Sequence, residues 1–335
     1  MTRAQWQAQA ERELGGRPLR SLTRTTADGI AVAPLYLRED VDGAPGRAGL
    51  GTRSTGRWST VQEYRHADPR AANAAARRDL ELGADGLWFV LDSELRAGRE
   101  PGSIPNGLVA DPSVDLDELF AGVDPATTPV FVDAGLLAPI WADALEQWID
   151  SCRGSGDAPE HPPQILLRKS GGPPGPSCDP AGRHSGGPEP ATLGRGPSRG
   201  GVVYDPLTPL LRSGSLELGF EAALAEQVDA MLGRTIGLIG VSTCPYHDAG
   251  ASDAEELALA LSTCAELLRR GDPLGLEPAD LASGLIWTMA IAGRPFEAIA
   301  KLRAARLCWA KFASACGLAG EQQRLWIHAT ASQRT

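Results

Sequence analysis

The chain lacks the basic excess that a phosphate-binding surface needs. Its 42 acidic and 32 basic side chains leave a formal balance of −10, so nucleic acid is not an expected partner. No stretch approaches the roughly 20 uninterrupted apolar residues of a membrane span. The N-terminal MTRAQWQAQAERELGG has no apolar h-region of a secretory signal. The six cysteines (Cys152, Cys178, Cys244, Cys264, Cys308 and Cys316) show neither CxxC nor disulfide-framework spacing. They are expected as reduced thiols in a cytoplasm, with no metal-ligand cluster among them and the histidines. No GxGxxG loop, and no GxxxxGK followed by Ser or Thr, comes after any apolar run, which argues against dinucleotide and P-loop chemistry.

What is present is uneven. Gly and Pro occupy 22 of the 48 positions from 154 to 201, where Ile165, Leu166, Leu167 and Leu193 are the large aliphatics. So little apolar surface cannot offset the entropy of ordering, and about 155–200 is expected to be a disordered loop, an insertion or a shifted reading frame. Residues 1–60 read as a separate arm. It has a short helix over Gln5 to Leu14 ended by Gly15-Gly16, then an Asp28-Gly29 turn between two β-prone runs. The arm has too few apolar residues to fold alone and is expected to lie on its own domain or on a partner.

Residues 61–335 read as alternating helices and short apolar strands. Strands are expected at Gly86–Asp92, Thr128–Asp133, Gly201–Tyr204, Ile236–Val241, Leu285–Ile291 and Leu325–Ala329. Between them lie helices at Pro69–Leu82, Asp115–Phe120, Pro139–Cys152, Phe220–Leu232, Ser252–Arg269 and Phe296–Ala315. Strands apolar on both faces and separated by helices belong to parallel α/β sheets. The series fits a (β/α)8 TIM-type barrel, with about six or seven strands, incomplete at Thr335.

Barrel chemistry sits at the C-terminal ends of strands. Gly240 to Ala251 follows an apolar strand and precedes a helix opened by Ser252 and Glu255 in capping-box spacing. Tyr246 and His247 would there be able to donate hydrogen bonds to a carbonyl oxygen. The plainer alternative is that His247 bonds the loop and Asp248 starts the helix. In the helix after Phe296, Lys301, Arg303, Arg306 and Lys311 surround an apolar face of Ile299, Leu302, Trp309 and Phe312. That cluster suits an anion, or more simply a solvated face with acidic neighbours. His328, in an apolar strand, is a ligand candidate or a satisfied core histidine.

At these segments the sequence resembles the methylmalonyl-CoA mutase family. PYHDAGAS followed by AEELALALSTCAELLR is similar to the family's YH-x2-AGA loop and helix, FEAIAKLRAARLCWAK to its I-A-K-x-R-A-x-R-x-x-W helix, and RLWIHATAS to the strand after it. ERELGGRPLRSLTRTTADGIAVAPLY resembles the family's N-terminal segment, and STVQEYRHADPRAANAAARRDLELGADGLW its first barrel unit. The resemblance implies a substrate barrel and an adenosylcobalamin-dependent interconversion of methylmalonyl-CoA and succinyl-CoA, with the position of His247 contacting the thioester carbonyl. Departures are equally marked. Ser283-Gly284-Leu285-Ile286 stands where catalytic chains carry P-R-L-S, and Gly201-Val-Val-Tyr-Asp-Pro206 where they carry G-T-I/V-Q-N-D. No tyrosine lies between Gly46 and Arg57, and no D-x-H-x-x-G cobalamin loop exists, so no cobalamin-binding domain is expected in this sequence.

The resemblance therefore implies a small, non-catalytic subunit, inactive alone, with Tyr246 and His247 vestigial or weak. Its partner would be a large catalytic mutase subunit, and adenosylcobalamin would be bound by the complex. Two other readings stand beside it: a catalytic acyl-CoA mutase barrel with its cobalamin domain on a separate chain, and a stand-alone protein that binds acyl-CoA thioesters.

Overall fold

The computed structural model describes residues 2–41, 58–125, 127–154, 165–170, 201–214, 221–225 and 237–334. Ten strands are assigned: β1 (Arg24–Thr25), β2 (Ala31–Val32), β3 (Val61–Tyr64), β4 (Gly86–Val90), β5 (Val130–Asp133), β6 (Ile165–Ser170), β7 (Gly201–Asp205), β8 (Gly237–Ser242), β9 (Leu285–Ile291) and β10 (Trp326–Ala331). The first two form an antiparallel hairpin, Arg24 opposite Val32, through the Asp28-Gly29 turn. The other eight lie in one sheet in chain order, β3 to β10, and all their pairings are parallel.

Helices cover the outward face. Tyr64, Leu87, Phe89, Val130 and Val132 pack with Ala72 and Ala76 of the Pro69–Glu81 helix and Trp141 and Leu145 of the Ala138–Gly154 helix. Farther along, Ile239, Val241, Trp287 and Met289 pack with Ala260 and Cys264 of the Asp253–Gly271 helix and Ala305 and Trp309 of the Pro295–Ala315 helix. Burial pushes the Cys264 thiol up to about 12, so it packs as an inert apolar group.

The sheet is curled. On its inward face His328 of β10 lies 4.7 Å from the Trp88 ring of β4 and stacks at 5.5 Å on Phe131 of β5. Among the described residues no hydrogen-bonded ladder joins β10 to β3. The α/β class and the parallel sheet agree with expectation, and closure into a complete (β/α)8 barrel is not shown among the described residues.

Two corrections concern strands. Among the described residues eight strands make up the sheet rather than the expected six or seven, with Val61–Tyr64 and Ile165–Ser170 as the additions. The first, Val61-Gln62-Glu63-Tyr64, carries two adjacent polar residues at its centre. The second interrupts the stretch expected to be disordered: Ile165-Leu166-Leu167 is a short apolar run that pairs with β5 and β7 on its two sides. The rest of that stretch, 155–164 and 171–200, lies outside the described residues, as do 42–57. Of the helix expected at Phe220–Leu232, 221–225 is described and helical.

The arm opens with the Arg3–Leu14 helix, which has a Thr2/Gln5 capping box and ends at Gly15 in the left-handed conformation. Leu14 is the arm's one buried residue among those described in 2–41. Arg24 Nη1 lies 2.7 Å from Glu297 Oε1, and Asp28 Oδ1 accepts from the Ala254 N–H at 3.4 Å. The hairpin thus sits against the N-terminal ends of the two helices that follow β8 and β9.

Candidate functional site

The site is built where β8 ends. Thr243, whose N–H donates to Thr288 O of β9, leads into a five-residue helix, Cys244–Asp248, that carries Tyr246 and His247. Ser252 then caps the Asp253–Gly271 helix, with Glu255 completing the capping box. Of the two adjacent glutamates, Glu255 faces its own cap and Glu256 turns inward.

Glu256 is completely buried, beside His247 at 1% and Lys301 at 4% exposure. His247 Nδ1 lies 2.7 Å from Glu256 Oε1, and Lys301 Nζ donates to the same oxygen at 2.6 Å. Thr243 Oγ1 donates to Glu256 Oε2 at 2.8 Å. Lys301 Nζ also donates to Ala290 O at 3.0 Å and lies 3.0 Å from Asp253 Oδ1. Buried charges survive only when paired and hydrogen-bonded, and here the carboxylate and the ammonium satisfy one another. On its other side the histidine meets the segment past β10: Ser332 Oγ at 2.7 Å and Arg334 Nε at 3.2 Å from Nε2. Tyr246 is half-buried and takes no part in this network.

The structure thus gathers some expected residues and separates others. His247 is at the strand ends, but protein groups occupy both of its ring nitrogens. Lys301 leaves the expected basic face for the interior, whereas Arg303 and Lys311 are exposed. His328 faces the inside of the curled sheet rather than the loops. Glu256, Thr243, Ser332 and Arg334 escaped notice. For the glutamate a signal existed: Glu256, Ala260, Cys264, Leu267 and Gly271 are the buried positions of its helix, so the charge falls on the apolar stripe. Lys301, with Ala305, Trp309 and Ala313, repeats the pattern one helix later.

Inside the sheet there is little room. Trp88, Phe131, Val203, Ile286, Thr288 and His328 enclose a cavity of about 30 Å³. Part of it exists because residue 240 is glycine, where a Cβ would stand 3.0 Å from Val203 and 3.1 Å from Asp205. Such a space holds a water or two, far below the several hundred Å³ of a ligand pocket. Among the described residues no group of His, Cys, Asp and Glu could hold a metal ion, and no helix is long and apolar enough to cross a membrane.

Comparison with known proteins places this region in context. The family model described as methylmalonyl-CoA mutase matches residues 230–335, the stretch that holds the whole network. The methylmalonyl-CoA mutase small subunit of Streptomyces virginiae is 31% identical over 317 residues, 91% of this chain and 42% of that protein. The large subunit from the same organism is 27% identical, over 92% of this chain and 40% of its own length. A methylmalonyl-CoA mutase of Cereibacter sphaeroides is 28% identical over 92% of the chain and 42% of its own length. The chain thus spans about two fifths of the curated relatives it matches. With the similarity running through arm, sheet and network alike, this chain belongs to the methylmalonyl-CoA mutase family.

Proposed function

We propose that this chain is the supporting, small-subunit-type part of a methylmalonyl-CoA mutase and leaves catalysis to a large partner subunit. The observation that carries this reading is the filled interior. An acyl-CoA threading the sheet would need the space that Trp88, Phe131 and His328 occupy, and about 30 Å³ remains. The state of His247 supports it too, because a histidine bonded at both nitrogens is not poised for a thioester carbonyl. On this reading Tyr246 and His247 are vestigial in catalysis.

Adenosylcobalamin, when bound, supplies the radical that lets methylmalonyl-CoA and succinyl-CoA interconvert. The described residues, with about 30 Å³ of space inside the sheet, do not fit it or the acyl-CoA, so no step of the reaction is assigned to them; the complex would hold both through the partner. The arm, residues 1–60, would be the subunit contact, since it buries so little on its own chain. The sheet and helices of 61–335 would form the supporting body, in the cytoplasm.

Co-expression with a large mutase subunit tests this. A stable heterodimer is expected, and in it His247→Ala should leave turnover unchanged in the presence of adenosylcobalamin. Calorimetry of the isolated chain should show no acyl-CoA binding. A fall in turnover of tenfold or more with His247→Ala, the scale of one lost transition-state hydrogen bond at roughly 1.4 kcal/mol, would move the chain into the catalytic class.

A further inference from the structure

The groups around His247 fix which of its nitrogens carries hydrogen. Nδ1 faces Glu256 Oε1 at 2.7 Å. The same carboxylate receives Lys301 and Thr243 and, as an ion, only accepts, so Nδ1 is the donor. With that hydrogen on Nδ1, Nε2 is left as the acceptor; the Arg334 guanidinium spans both ring nitrogens, its Nε 3.2 Å from Nε2. Ser332 is compatible with this: its Oγ, 2.7 Å from Nε2, can donate to it while accepting from the Arg334 backbone N–H at 3.1 Å.

Both residues are anchored. The Ser332 N–H donates to Ile291 O at 2.9 Å, continuing the β9–β10 ladder. Arg334 Nη2 reaches across the ring, 3.3 Å from Nδ1, to Ala251 O at 3.4 Å. The charged groups around the imidazole are thus Glu256 and Asp253 from one helix, Lys301 from the next and Arg334 from the segment after β10.

We propose that Ser332 and Arg334 form a strap that holds His247 as the Nδ1–H tautomer and closes Nε2, the one nitrogen a ligand could reach. The inference rests on the reading that His247 meets no substrate in this chain, and it supplies the device that keeps it so. A carbonyl oxygen needs a donor. Nε2 presents a lone pair already used, so a carbonyl-bearing ligand could engage His247 only after the strap lifts and the ring gains a proton.

Histidine ¹⁵N spectra of the full chain at neutral pH, assigned with His247→Gln, test the tautomer. A pyrrole-type Nδ1 and a pyridine-type Nε2 are expected. The reverse assignment, or two pyrrole-type nitrogens, overturns the proposal. Diethylpyrocarbonate, which acylates an accessible unprotonated imidazole nitrogen, tests the closure by peptide mapping. His247 should resist it in the intact chain and react at least about tenfold faster in the Ser332→Ala/Arg334→Ala variant, as the protected state gives way to an open one. Ser332→Thr should keep the protection. Equal rates in the intact chain and a folded strap variant refute the strap. If the double variant fails to fold, Arg334→Gln at an exposed position gives the same readout. Loss of turnover with His247→Ala in the heterodimer, alongside protection in the isolated chain, would sink the supporting-subunit reading and leave the strap standing as a gate.

Discussion

At the ends of β4 and β5 buried carboxylates act one at a time, whereas past β8 and β9 one buried carboxylate anchors a connected network. Asp92 accepts from the backbone N–H of Glu94 and of Asn106, at 3.0 and 2.9 Å, and so holds a helix start and the return of a loop. Asp133 receives Arg96 Nη1 at 3.1 Å through one oxygen, while the other has no hydrogen-bond partner among the described residues. In the second region a single carboxylate, Glu256, joins the residue after β8 and two helices, and through His247 the end of β10. The first region is therefore stabilised mainly by apolar packing and close backbone approach, with polar contacts that can fail separately. The second stakes several elements on one ionic pair, so its polar groups are expected to fail together.

The largest effect should come from splitting that pair. Glu256→Gln removes the buried counter-charge of the Lys301 ammonium, leaving it only Asp253 at 3.0 Å, whose side chain is 42% exposed, and should cost about 3–5 kcal/mol in denaturant unfolding. The paired change Glu256→Leu/Lys301→Met should recover most of that loss. If the paired change is as harmful as the single one, the pair does not govern this region.

Next comes the backbone of the first region. Gly135 has φ 57°, and a Cβ there would stand 2.3 Å from Arg96 O. Gly135→Ala is expected to cost about 1–3 kcal/mol, measured as a lower thermal midpoint, with the His247 tautomer signals unmoved. A smaller effect attaches to Asp92. Burial by itself would raise its carboxyl, but hydrogen bonds from the backbone N–H groups of Asn106, Glu94, Leu95 and Ser93 outweigh it and hold the group below its ordinary value. A carboxyl lowered on folding contributes stability above its unfolded pKa of about 3.9 and loses it as pH falls toward the lower folded value. Asp92→Asn should therefore cost about 1 kcal/mol at pH 7 and flatten the acid limb of the stability curve below about pH 4. The least effect is expected at the surface. Arg70 and Glu118 meet at 2.5 Å with side chains 78% and 40% exposed, and Arg70→Ala should change stability by less than about 0.5 kcal/mol.

Much of the second region was readable in advance. The capping box at Ser252 and Glu255, the apolar runs of β8 and β9 and the positions of their helices all follow from local pattern, because caps and periodicity act within a few residues. The site was only half readable. Tyr246 and His247 could be placed after a strand, yet what His247 bonds to could not: Ser332 is 85 residues away and Arg334 87. Lys301 was misread as part of a basic face because its neighbours Arg303 and Arg306 are also cationic, whereas its own spacing with Ala305 and Trp309 marked it as buried. Strands β3 and β6 were missed for opposite reasons. The residues of Val61–Tyr64 are too polar for an apolar run, and Ile165–Ser170 is hidden in a window dominated by glycine and proline. Both depend on neighbouring strands for their backbone partners, which no local window contains.

By itself the sequence determined the alternation of strand and helix, the parallel α/β class, the sparsely apolar arm and the family, since these are written in spacing and in runs of matching residues. Only the tertiary structure decided that His328, Trp88 and Phe131 fill the interior and that His247 is held between Glu256 and the residues past β10. The reason is physical: periodicity says which face of an element is buried, but the residue met on that face depends on the curl and register of a sheet whose contacts join distant parts of the chain.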